Sequence, residues 1–429
     1  MKIAIIGAGF TGLVAAWKLK KAGHDVTIYE GEKQAGGLAS GFKNTGWDYF
    51  LEKHYHHVFA TDKNIQDILS EFDLKDELYF CNVKTSTLCN EKIFRLDSPL
   101  SLLKFSQLPL LSRLRTGATL AFLKLFPFGQ LLEKITAERF LKITMGTTTW
   151  KVLWEPLFKG KFGSFSNKIN AAWFWARIYT RSQQLGYFKG GFQSLINKMV
   201  AKLEQAGIEI VFESLVKKIE FNDKIMLSLF NKHKESKALF DKVLFTASAD
   251  DLLKVVDDFD EKYQASLQKL ESLGAMTLVV QLNKSFFKDE TYWLNINQTG
   301  WPFLAVVEHT NLVEPQQYNE KNILYIGKYL AVSDKFFEMD AKEVLKVYQP
   351  YLEQLFSGFS KHIDDIWLFK DEFAQPIVKV NHSKLVPQIK TPINNLYWAS
   401  MQHVYPFDRG VNYAVRLGKE AAQKIIQNS

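Results

Sequence analysis

Three glycines near the N-terminus have the spacing that lets a backbone hold phosphate groups. Gly7, Gly9 and Gly12 form G-x-G-x-x-G between an apolar run typical of a strand and a segment with helical spacing. There, the first glycine permits a tight turn, the second lets the backbone approach a pyrophosphate, and the third lets helix and strand pack closely. The helix start adds unpaired N–H groups and partial positive charge. The sequence predicts a dinucleotide site on Gly7-Ala8-Gly9-Phe10-Thr11-Gly12.

An acid at a suitable distance restricts the kind of dinucleotide. Glu30 ends the second predicted strand, eighteen residues after Gly12, where a carboxylate accepts hydrogen bonds from ribose hydroxyls. The same negative charge would repel a 2′-phosphate, which disfavours NADP. Because NAD and FAD use the same turn, the turn itself leaves both open.

A second pair of glycines narrows that choice. Glu30 is followed by the run Gly36-Gly37-Leu38-Ala39-Ser40. At these residues the sequence resembles the flavin amine oxidase superfamily, which includes protoporphyrinogen oxidases, carotenoid desaturases and UDP-galactopyranose mutases. In that superfamily a Gly-Gly motif after the ribose-binding acid lies along an extended FAD. The resemblance therefore implies FAD as the cofactor, held in part by Gly36, Gly37, Leu38, Ala39 and Ser40.

Two distant segments carry the same resemblance. Val216 stands in a segment that resembles the strand whose backbone meets the adenine. Residues 405–414 resemble the C-terminal flavin motif. That resemblance implies that the ribityl and pyrimidine end of the flavin is held by Asp408, Gly410, Val411 and Asn412. A helix starting after Gly410 would aim its positive end at the flavin edge where negative charge gathers on reduction.

Three histidines, His54, His56 and His57, stand within four positions. Alternation along an extended loop would turn them in different directions, and no carboxylate cluster stands beside them, so we expect no metal there. Residues 57–62 resemble the His-Ile-Phe-His-Thr-Asp segment of UDP-galactopyranose mutases. This implies that His57 lies against the isoalloxazine, where it could hydrogen-bond or transfer a proton near neutral pH. A purely structural His57 is the alternative.

A second candidate group lies on a predicted helix. Trp173, Arg177 and Arg181 are spaced four residues apart, which predicts one shared helix face. Such a face could stack a ring and pair with a phosphate or carboxylate. Arg177 and Arg181 therefore join His57 as candidate catalytic residues. Helix packing with the arginines extended toward solvent explains the pattern equally well.

The elements that must position these residues follow from hydrophobic periodicity. Residues 3–6 and 26–29 read as strands on either side of a helix over 12–22. Residues 100–181 read as mostly helical, with breaks at Pro109, Pro127 and Pro156. The remaining predicted elements are a helix over 192–206, strands over 208–212, 216–221, 242–246, 276–282, 303–307, 322–326 and 396–399, and a helix from about Val411.

This order predicts an α/β fold in which a Rossmann-type FAD-binding domain is interleaved with an α+β substrate domain. We expect the FAD-binding domain to be discontinuous, over residues 1–75, 186–250 and 385–429. The substrate or lid domain is expected over residues 76–185 and 251–384. The aromatic residues, 14% of the chain, are crowded between Trp150 and Tyr187 in the second domain, where they indicate either a flat or apolar small-molecule substrate or a phenylalanine-rich core.

The charge and the cysteine content restrict the partners and the cellular compartment that we expect. Lysine and arginine number 54 against 46 acids in 429 residues, and they are scattered, so we expect no nucleic-acid partner. The two cysteines, Cys81 and Cys89, are expected to be reduced packing residues of a cytoplasmic protein. The sequence specifies no oligomeric state.

Residues 100–132 form the most apolar stretch, but four lysines and arginines interrupt it, so it cannot span a membrane. It could lie on a bilayer surface by an apolar face. A core-facing helix pair explains it equally well, so peripheral membrane association stays open.

Two interpretations of function follow. The preferred one is an FAD-dependent oxidoreductase of the amine oxidase or protoporphyrinogen oxidase kind, in which an apolar or ring-containing substrate gives a hydride to flavin N5. The alternative is redox-neutral chemistry on a sugar nucleotide with reduced FAD, as in the mutases. The sequence does not identify the substrate.

Overall fold

The computed structural model describes residues 1–428, within which the strands form five sheets. In chain order the strands are β1 (Lys2–Ile6), β2 (Asp25–Tyr29), β3 (Gly41–Phe42), β4 (Leu51–Glu52), β5 (Val58–Phe59), β6 (Leu78–Asn82), β7 (Lys84–Cys89), β8 (Lys92–Arg95), β9 (Gln184–Phe188), β10 (Glu209–Val211), β11 (Ser214–Phe221), β12 (Ile225–Asn231), β13 (Lys234–Phe240), β14 (Lys242–Phe245), β15 (Ser272–Leu282), β16 (Thr291–Ile296), β17 (Ala305–Glu308), β18 (Asn322–Leu330), β19 (Ile363–Pro376) and β20 (Leu396–Trp398). The α-helices are α1 (Phe10–Lys21), α2 (Lys63–Glu71), α3 (Pro99–Lys104), α4 (Leu110–Leu125), α5 (Ala137–Met145), α6 (Thr147–Thr149), α7 (Glu155–Phe162), α8 (Ala171–Thr180), α9 (Phe192–Gln205), α10 (Ala249–Val255), α11 (Glu261–Leu267), α12 (Ala341–Leu355) and α13 (Val411–Gln427).

Strands β10, β2, β1, β14 and β20 form, in that order, a parallel sheet. Ile3 and Ile5 pack into a core shared with α1 and α13, whereas Ala4 and Ile6 pack into a core shared with β11, β12 and β13. Both faces of the sheet are covered, which explains why β1 is an uninterrupted apolar run. The predicted strand, helix and strand at the N-terminus are confirmed.

A second sheet has the order β19, β15, β18, β17, β16, β7 and β8, and it is antiparallel except between β16 and β7. Helix α12 packs Val344, Tyr348 and Leu352 against one face of this sheet. On the other face, Val279 and Tyr325 join the core that contains α1 and α13. The second sheet therefore lies between α12 and the parallel-sheet region.

The strands of these two sheets fall into separate stretches of the chain. Those of the parallel sheet lie within 1–75, 186–250 and 385–429, and those of the second sheet lie within 76–185 and 251–384. A small sheet of β5, β9 and β6 connects the two sets of ranges. The domain boundaries themselves stay a prediction.

Helices occupy most of the segment between β8 and β9, as the sequence predicts. Pro109 and Pro127 flank α4 and break the helical segment as expected. The predicted break at Pro156 is wrong, because Pro156 lies in the first turn of α7, where a proline is tolerated, directly after a π-helical turn over Trp150–Trp154. None of the helices in residues 1–428 combines the length and apolar character needed to cross a membrane.

Candidate active site

The three glycines after β1 differ in what surrounds them. A Cβ atom at Gly12 would stand 2.0 Å from the carbonyl oxygen of Gly7, and a Cβ at Gly7, whose φ is +105°, would stand 2.3 Å from Thr246 Oγ1. A Cβ at Gly9 would meet no protein atom within 4 Å. Gly7 and Gly12 are therefore needed for packing and backbone conformation, whereas Gly9 faces open space. These are the separate roles expected of a phosphate-binding turn.

A second glycine turn packs against the first. Gly36 has φ +135° and Gly37 has φ +54°, and a Cβ at Gly37 would stand 3.7 Å from the Cα atom of Gly9. The N–H of Gly36 donates to the carbonyl of Ala8 at 3.0 Å. Residues 37–39, which include Leu38 and Ala39, form a 3₁₀ turn that leads to the buried Ser40. The two predicted motifs are therefore brought together at one edge of the parallel sheet.

The acid at the end of β2 is fixed in the same place. Its two carboxylate oxygens accept the N–H of Ala8 at 2.7 Å and the N–H of Glu32 at 3.0 Å. The carbonyl of Glu30 accepts the N–H of Ser214 at 2.8 Å, and this bond places β11 and the buried Val216 beside the carboxyl end of β2. A carboxylate has about four acceptor positions, so Glu30 retains capacity for ribose hydroxyls.

The start of α13 lies next to the start of α1. Thr11 Oγ1 donates to the carbonyl of Ala414 at 3.1 Å, while the neighbouring Phe10 is buried. Neither α1 nor α13 has a side-chain cap at its N-terminus. Both helix starts therefore present partial positive charge to one region.

The residues predicted to hold the flavin near α13 differ in the groups that they can offer to a ligand. The first N–H group along α13 that donates to the carbonyl of Gly410 is that of Tyr413. The N–H groups of Val411 and Asn412, in the first turn of the helix, are therefore available to a ligand. The side chain of Asn412 is buried and accepts the N–H of Ile65 at 3.2 Å, so it fixes α2 to α13. At Gly410, Val411 and Asn412 the available donors are backbone groups.

Asp408 lies in a cluster of cations. One carboxylate oxygen accepts from Arg177 Nη1 at 2.5 Å and from Lys161 Nζ at 3.2 Å. The other accepts the N–H of Arg409 at 3.1 Å. We call Lys161, Arg177, Asp408 and Arg409 the cation cluster. Since protein donors occupy both carboxylate oxygens, a direct contact of Asp408 with the flavin stays a prediction.

Burial and charge act against each other in this cluster. Burial alone would raise the pKa of Asp408, but Lys161, Arg177 and Arg409 together hold that pKa well below its usual range. Burial lowers the pKa of Lys161 to about 7, in spite of the attraction of Asp408. Two guanidinium groups, joined below about pH 7 by the charged Lys161, therefore surround one carboxylate, which leaves a positive excess for a ligand.

The helix that was expected to carry Trp173, Arg177 and Arg181 includes the first two of these residues. The guanidinium of Arg177 lies 5.1 Å from the ring centre of Trp173, as expected for residues one helical turn apart. Helix α8 ends at Thr180, and Arg181 is its C-cap residue, with a helical φ of −63° and an extended ψ of +131°. Because φ keeps its helical value, the Cβ atom of Arg181 still leaves the chain as it would in the helix, and its charge acts on both Arg177 and His57. A shared role of Arg177 and Arg181 in binding substrate stays a prediction.

Aromatic side chains continue the site from the cation cluster. Tyr329 lies 4.8 Å below the guanidinium of Arg409 and also accepts a hydrogen bond from it. Tyr55 and Trp293 stack edge to face with ring centres 4.9 Å apart, and Trp293 contacts His57. These aromatic rings are half-buried. A continuous wall of rings therefore runs from His57 to the cations.

His57 lies at the end of this wall with an unsatisfied polar atom. Its Nδ1 is buried and has no hydrogen-bond partner, while its ring packs on Phe59 at 5.1 Å. Burial, followed by the charges of Arg181, His56 and Arg177, lowers its pKa to about 3. The ring is therefore neutral at neutral pH and its Nδ1 can hydrogen-bond to a ligand, while proton transfer by His57 stays a prediction.

The other two histidines of the loop are engaged separately. His54 bridges Thr277 and Asp371 at 2.7 and 2.6 Å, and His56 bonds to the carbonyl of His54. Within residues 1–428 no group of three or more histidine, cysteine, aspartate or glutamate side chains is arranged to hold a metal. The three histidines therefore have three different roles.

The sequence model of flavin containing amine oxidoreductases matches residues 10–426. The chain belongs to this family. Its fold is that of flavin amine oxidases, as expected, and it is an FAD-dependent oxidoreductase. FAD is the cofactor, and the open space at Gly9, the free N–H groups of both helix starts and the unpartnered His57 Nδ1 fit such a ligand.

Among curated relatives, a 4,4′-diapophytoene desaturase of Staphylococcus haemolyticus is 51% identical over 49 residues, which cover 11% of this chain and 10% of the desaturase. The enzyme of the same name from Staphylococcus aureus strain COL is 39% identical over 77 residues, 16% of this chain and 15% of its own. These matches span only a small part of the desaturases.

Solved structures match over almost the whole chain. An Exiguobacterium protein assigned as protoporphyrinogen oxidase has a TM-score of 0.78 at 16% identity, covering 100% of this chain and 99% of its own. Reduced UDP-galactopyranose mutase has a TM-score of 0.78 at 15% identity, with 100% and 96% covered. Putrescine oxidase has a TM-score of 0.75 at 14% identity, with 100% and 99% covered. At these identities the likeness concerns the fold.

Sequence reasoning did not find Lys161 or the roles of Arg409 and Tyr329. Lys161 pairs with an acid 247 positions away, and no local pattern marks such a pair. Arg409 stands inside the C-terminal motif, so its neighbours provided a signal that it lies at the site.

Proposed function

We propose that this FAD-dependent oxidoreductase oxidises a substrate that combines an apolar or ring-containing body with an anionic group. The observation that carries the proposal is the junction of the cation cluster with the aromatic wall of Tyr55, Trp293 and Tyr329. Aromatic rings bind flat or apolar bodies. Surplus cations around a single carboxylate favour an anion beside them.

FAD, when bound, supplies an acceptor for a hydride taken from the substrate. The residues of the chain position the two partners and exclude water from between them. Backbone N–H groups of Val411 and Asn412, together with the helix dipole, favour negative charge at the start of α13. His57 is neutral and donates or accepts one hydrogen bond through its unpartnered nitrogen.

Asp408 is a positioning residue in this proposal. Its carboxylate holds the side chains of Lys161 and Arg177, and its backbone neighbour Arg409 is held in turn by Gln375 at 3.1 Å. Fixed guanidinium groups lose little conformational entropy when they bind an anion. Arg177 is 40% exposed, so one member of the cluster is accessible to a ligand.

The test is anaerobic reduction of the bound flavin by pairs of compounds that differ only in charge. Each pair consists of a carboxylic acid, either a cyclic amino acid or a polyene acid, and its methyl ester, and loss of the oxidised flavin absorbance reports hydride transfer. We expect the acids to reduce the flavin at least about tenfold faster at low concentration. Arg177→Met should remove this preference, and Lys159→Gln, an exposed lysine on α7, should keep it.

Two outcomes would contradict the proposal. One is flavin reduction by the esters as efficient as by the acids, which would show that the cation cluster does not select an anion. The other is that no pair of compounds reduces the flavin although the protein retains FAD, which would show that the enzyme does not oxidise substrates of this kind.

A second candidate is a redox-neutral enzyme of the mutase kind. It is favoured by the resemblance of residues 57–62 to mutases and by the cation cluster, which could also hold a pyrophosphate. It requires activity on a UDP-sugar only after dithionite reduction of the enzyme. Activity on a UDP-sugar under those conditions, and none on oxidisable substrates, would replace the first candidate with this one.

A further inference from the structure

Helix α4 exposes a stripe of apolar side chains and buries two threonines. The residues that it buries are Thr116, Thr119 and Leu123. The residues at the opposite face recur every three or four positions and are exposed, namely Leu111, Leu114, Ala118, Phe122 and Leu125. Leu111 is 77% exposed and Leu125 is 81% exposed. An ordinary surface helix has the reverse arrangement.

The apolar stripe continues onto the neighbouring helices. The guanidinium of Arg113 donates to the carbonyl of Leu103 at 2.7 Å, and that of Arg115 donates to the carbonyl of Ile143. Both Leu103 on α3 and Ile143 on α5 are exposed. We call the surface formed by Leu103, Leu111, Leu114, Phe122, Leu125 and Ile143 the α4 face.

The concentration of exposed apolar side chains here is unusual for this molecule. Of the eighteen large apolar side chains that are exposed within residues 1–428, ten lie between positions 100 and 143. Single exposed apolar residues need no explanation, but a contiguous patch marks an interaction site. Keeping these side chains in water costs free energy that a binding partner would recover.

The charge of the segment specifies the partner. Residues 99–143 hold seven lysines and arginines and two glutamates. Arg113 and Arg115 flank the stripe, so positive charge borders the apolar residues. A second copy of the chain would bring the same positive charge to the interface, which disfavours self-association. Apolar side chains bordered by cations are complementary to an anionic lipid surface.

We propose that the α4 face binds the surface of an anionic lipid bilayer, with α4 lying in the plane of the interface. The leucines and Phe122 enter the acyl boundary, and the bordering cations meet the lipid phosphates. The inference does not depend on the substrate, so it stands apart from the proposed function.

The docking surface is connected directly to the candidate active site. Trp175 of α8 packs against Gly129 just after α4, and its indole N–H donates to the carbonyl of Phe126 at 2.7 Å. The same helix carries Arg177 of the cation cluster. A bilayer held by the α4 face would therefore lie one helix away from the substrate site.

Sedimentation with lipid vesicles tests the inference. The holoenzyme is mixed with vesicles of phosphatidylglycerol and phosphatidylcholine, or of phosphatidylcholine alone. We expect binding to the anionic vesicles, weakened by salt and by removal of phosphatidylglycerol. The variant L111Q/L114Q/F122Q/L125Q should bind at least about tenfold more weakly, because it removes the buried apolar area.

The matched control is L239Q/V332Q, which changes two exposed apolar residues outside the α4 face. It should bind like the wild type, and both variants should keep their melting temperature and FAD content, because all the changed side chains are exposed. The inference is overturned if the wild type does not sediment with anionic vesicles, or if the fourfold variant sediments equally well. It is also overturned if the wild type is a lipid-free dimer that the fourfold variant converts to a monomer.

Discussion

The phosphate-binding turns and the cation cluster both attract anions, yet they are built by opposite means. The turns come from residues 7–12 and 36–40, and their donors are backbone groups. The cation cluster comes from α7, α8 and residues 408–409, and its members are side chains from distant parts of the chain, with Lys161 and Asp408 lying 247 positions apart. Backbone donors are present whatever the side chains are, whereas side chains can change with the substrate.

The difference extends to pH. Helix starts and backbone N–H groups carry no titratable proton, so the turns keep their potential at any ordinary pH. The cation cluster contains Lys161, whose pKa is lowered to about 7, and it therefore changes charge within the physiological range. FAD binding should therefore be insensitive to pH over the range in which substrate binding changes with pH.

The largest effect is expected in the turns, from Gly12→Ala. Its Cβ would stand 2.0 Å from the carbonyl oxygen of Gly7, so helix and strand must separate. We expect a protein without bound FAD and with a lower melting temperature, seen by visible absorbance and thermal unfolding. Gly9→Ala should also lose FAD, but as FAD-free protein it should unfold at the same temperature as FAD-free wild type, because its Cβ meets no protein atom. Equal loss of stability in both variants would contradict the separate roles.

The next effect is expected in the cation cluster, from Asp408→Asn. Without the carboxylate, Lys161, Arg177 and Arg409 repel one another in a buried site, which should cost about 2 to 4 kcal/mol in the free energy of unfolding. Asp257→Asn removes an exposed partner of Lys218 and should cost below about 1 kcal/mol. Urea unfolding measures both, and a similar small cost for the two would show that Asp408 does not hold the cluster.

Replacing Arg177 and replacing Arg181 should have different effects on KM, although the sequence places the two arginines in one pattern. Arg177→Met is expected to raise KM for an acidic substrate about thirtyfold, with a smaller change in kcat. Arg181→Met should raise KM less than about threefold, because Arg177 is bonded to Asp408 within the cation cluster whereas Arg181 lies one residue beyond the end of α8. Steady-state kinetics decides, and an equal rise for both would show that the two arginines bind the substrate together.

The charge of Lys161 should make substrate affinity fall as pH rises. Its pKa is about 7 in the folded protein, so the positive charge is present below that value and is lost above it. Between pH 6 and 8 we expect about a tenfold rise in KM for an acidic substrate. The Lys161→Met variant should bind an acidic substrate weakly, with a KM that does not change across this range, whereas the KM of Lys159→Gln should follow that of the wild type. A sloping profile in Lys161→Met would assign the titration to another group.

The smallest effect is expected for His57→Gln. Because burial lowers the pKa of His57 to about 3, its ring does not titrate between pH 5 and 8. We expect a rate of flavin reduction lower by about three- to tenfold and a pH profile of unchanged shape. Loss of a titration near pH 6 in the variant would show that His57 is charged at the site.

Local sequence patterns were sufficient to predict the parts of the fold that depend on neighbouring residues. The run of residues 3–6, the glycine spacing and the helix from Val411 were predicted and are confirmed as β1, the turn before α1, and α13. The pattern did not predict β19 or α12, because β19 is half-buried along most of its length and Pro350 lies inside α12. Arg181 was predicted on the helix and stands one residue beyond its end, where local signals are weakest.

The sequence by itself determined the nucleotide site, because a tight turn, a positive φ and a free helix start depend on neighbouring residues. Only the tertiary structure decided that Asp408 meets Lys161 and Arg177, since three segments distant in the chain must first pack around it. It also decided which side of α4 faces the core. Periodicity shows that a helix has two faces, but only the surrounding packing determines which of them is buried, and here it buried the threonines.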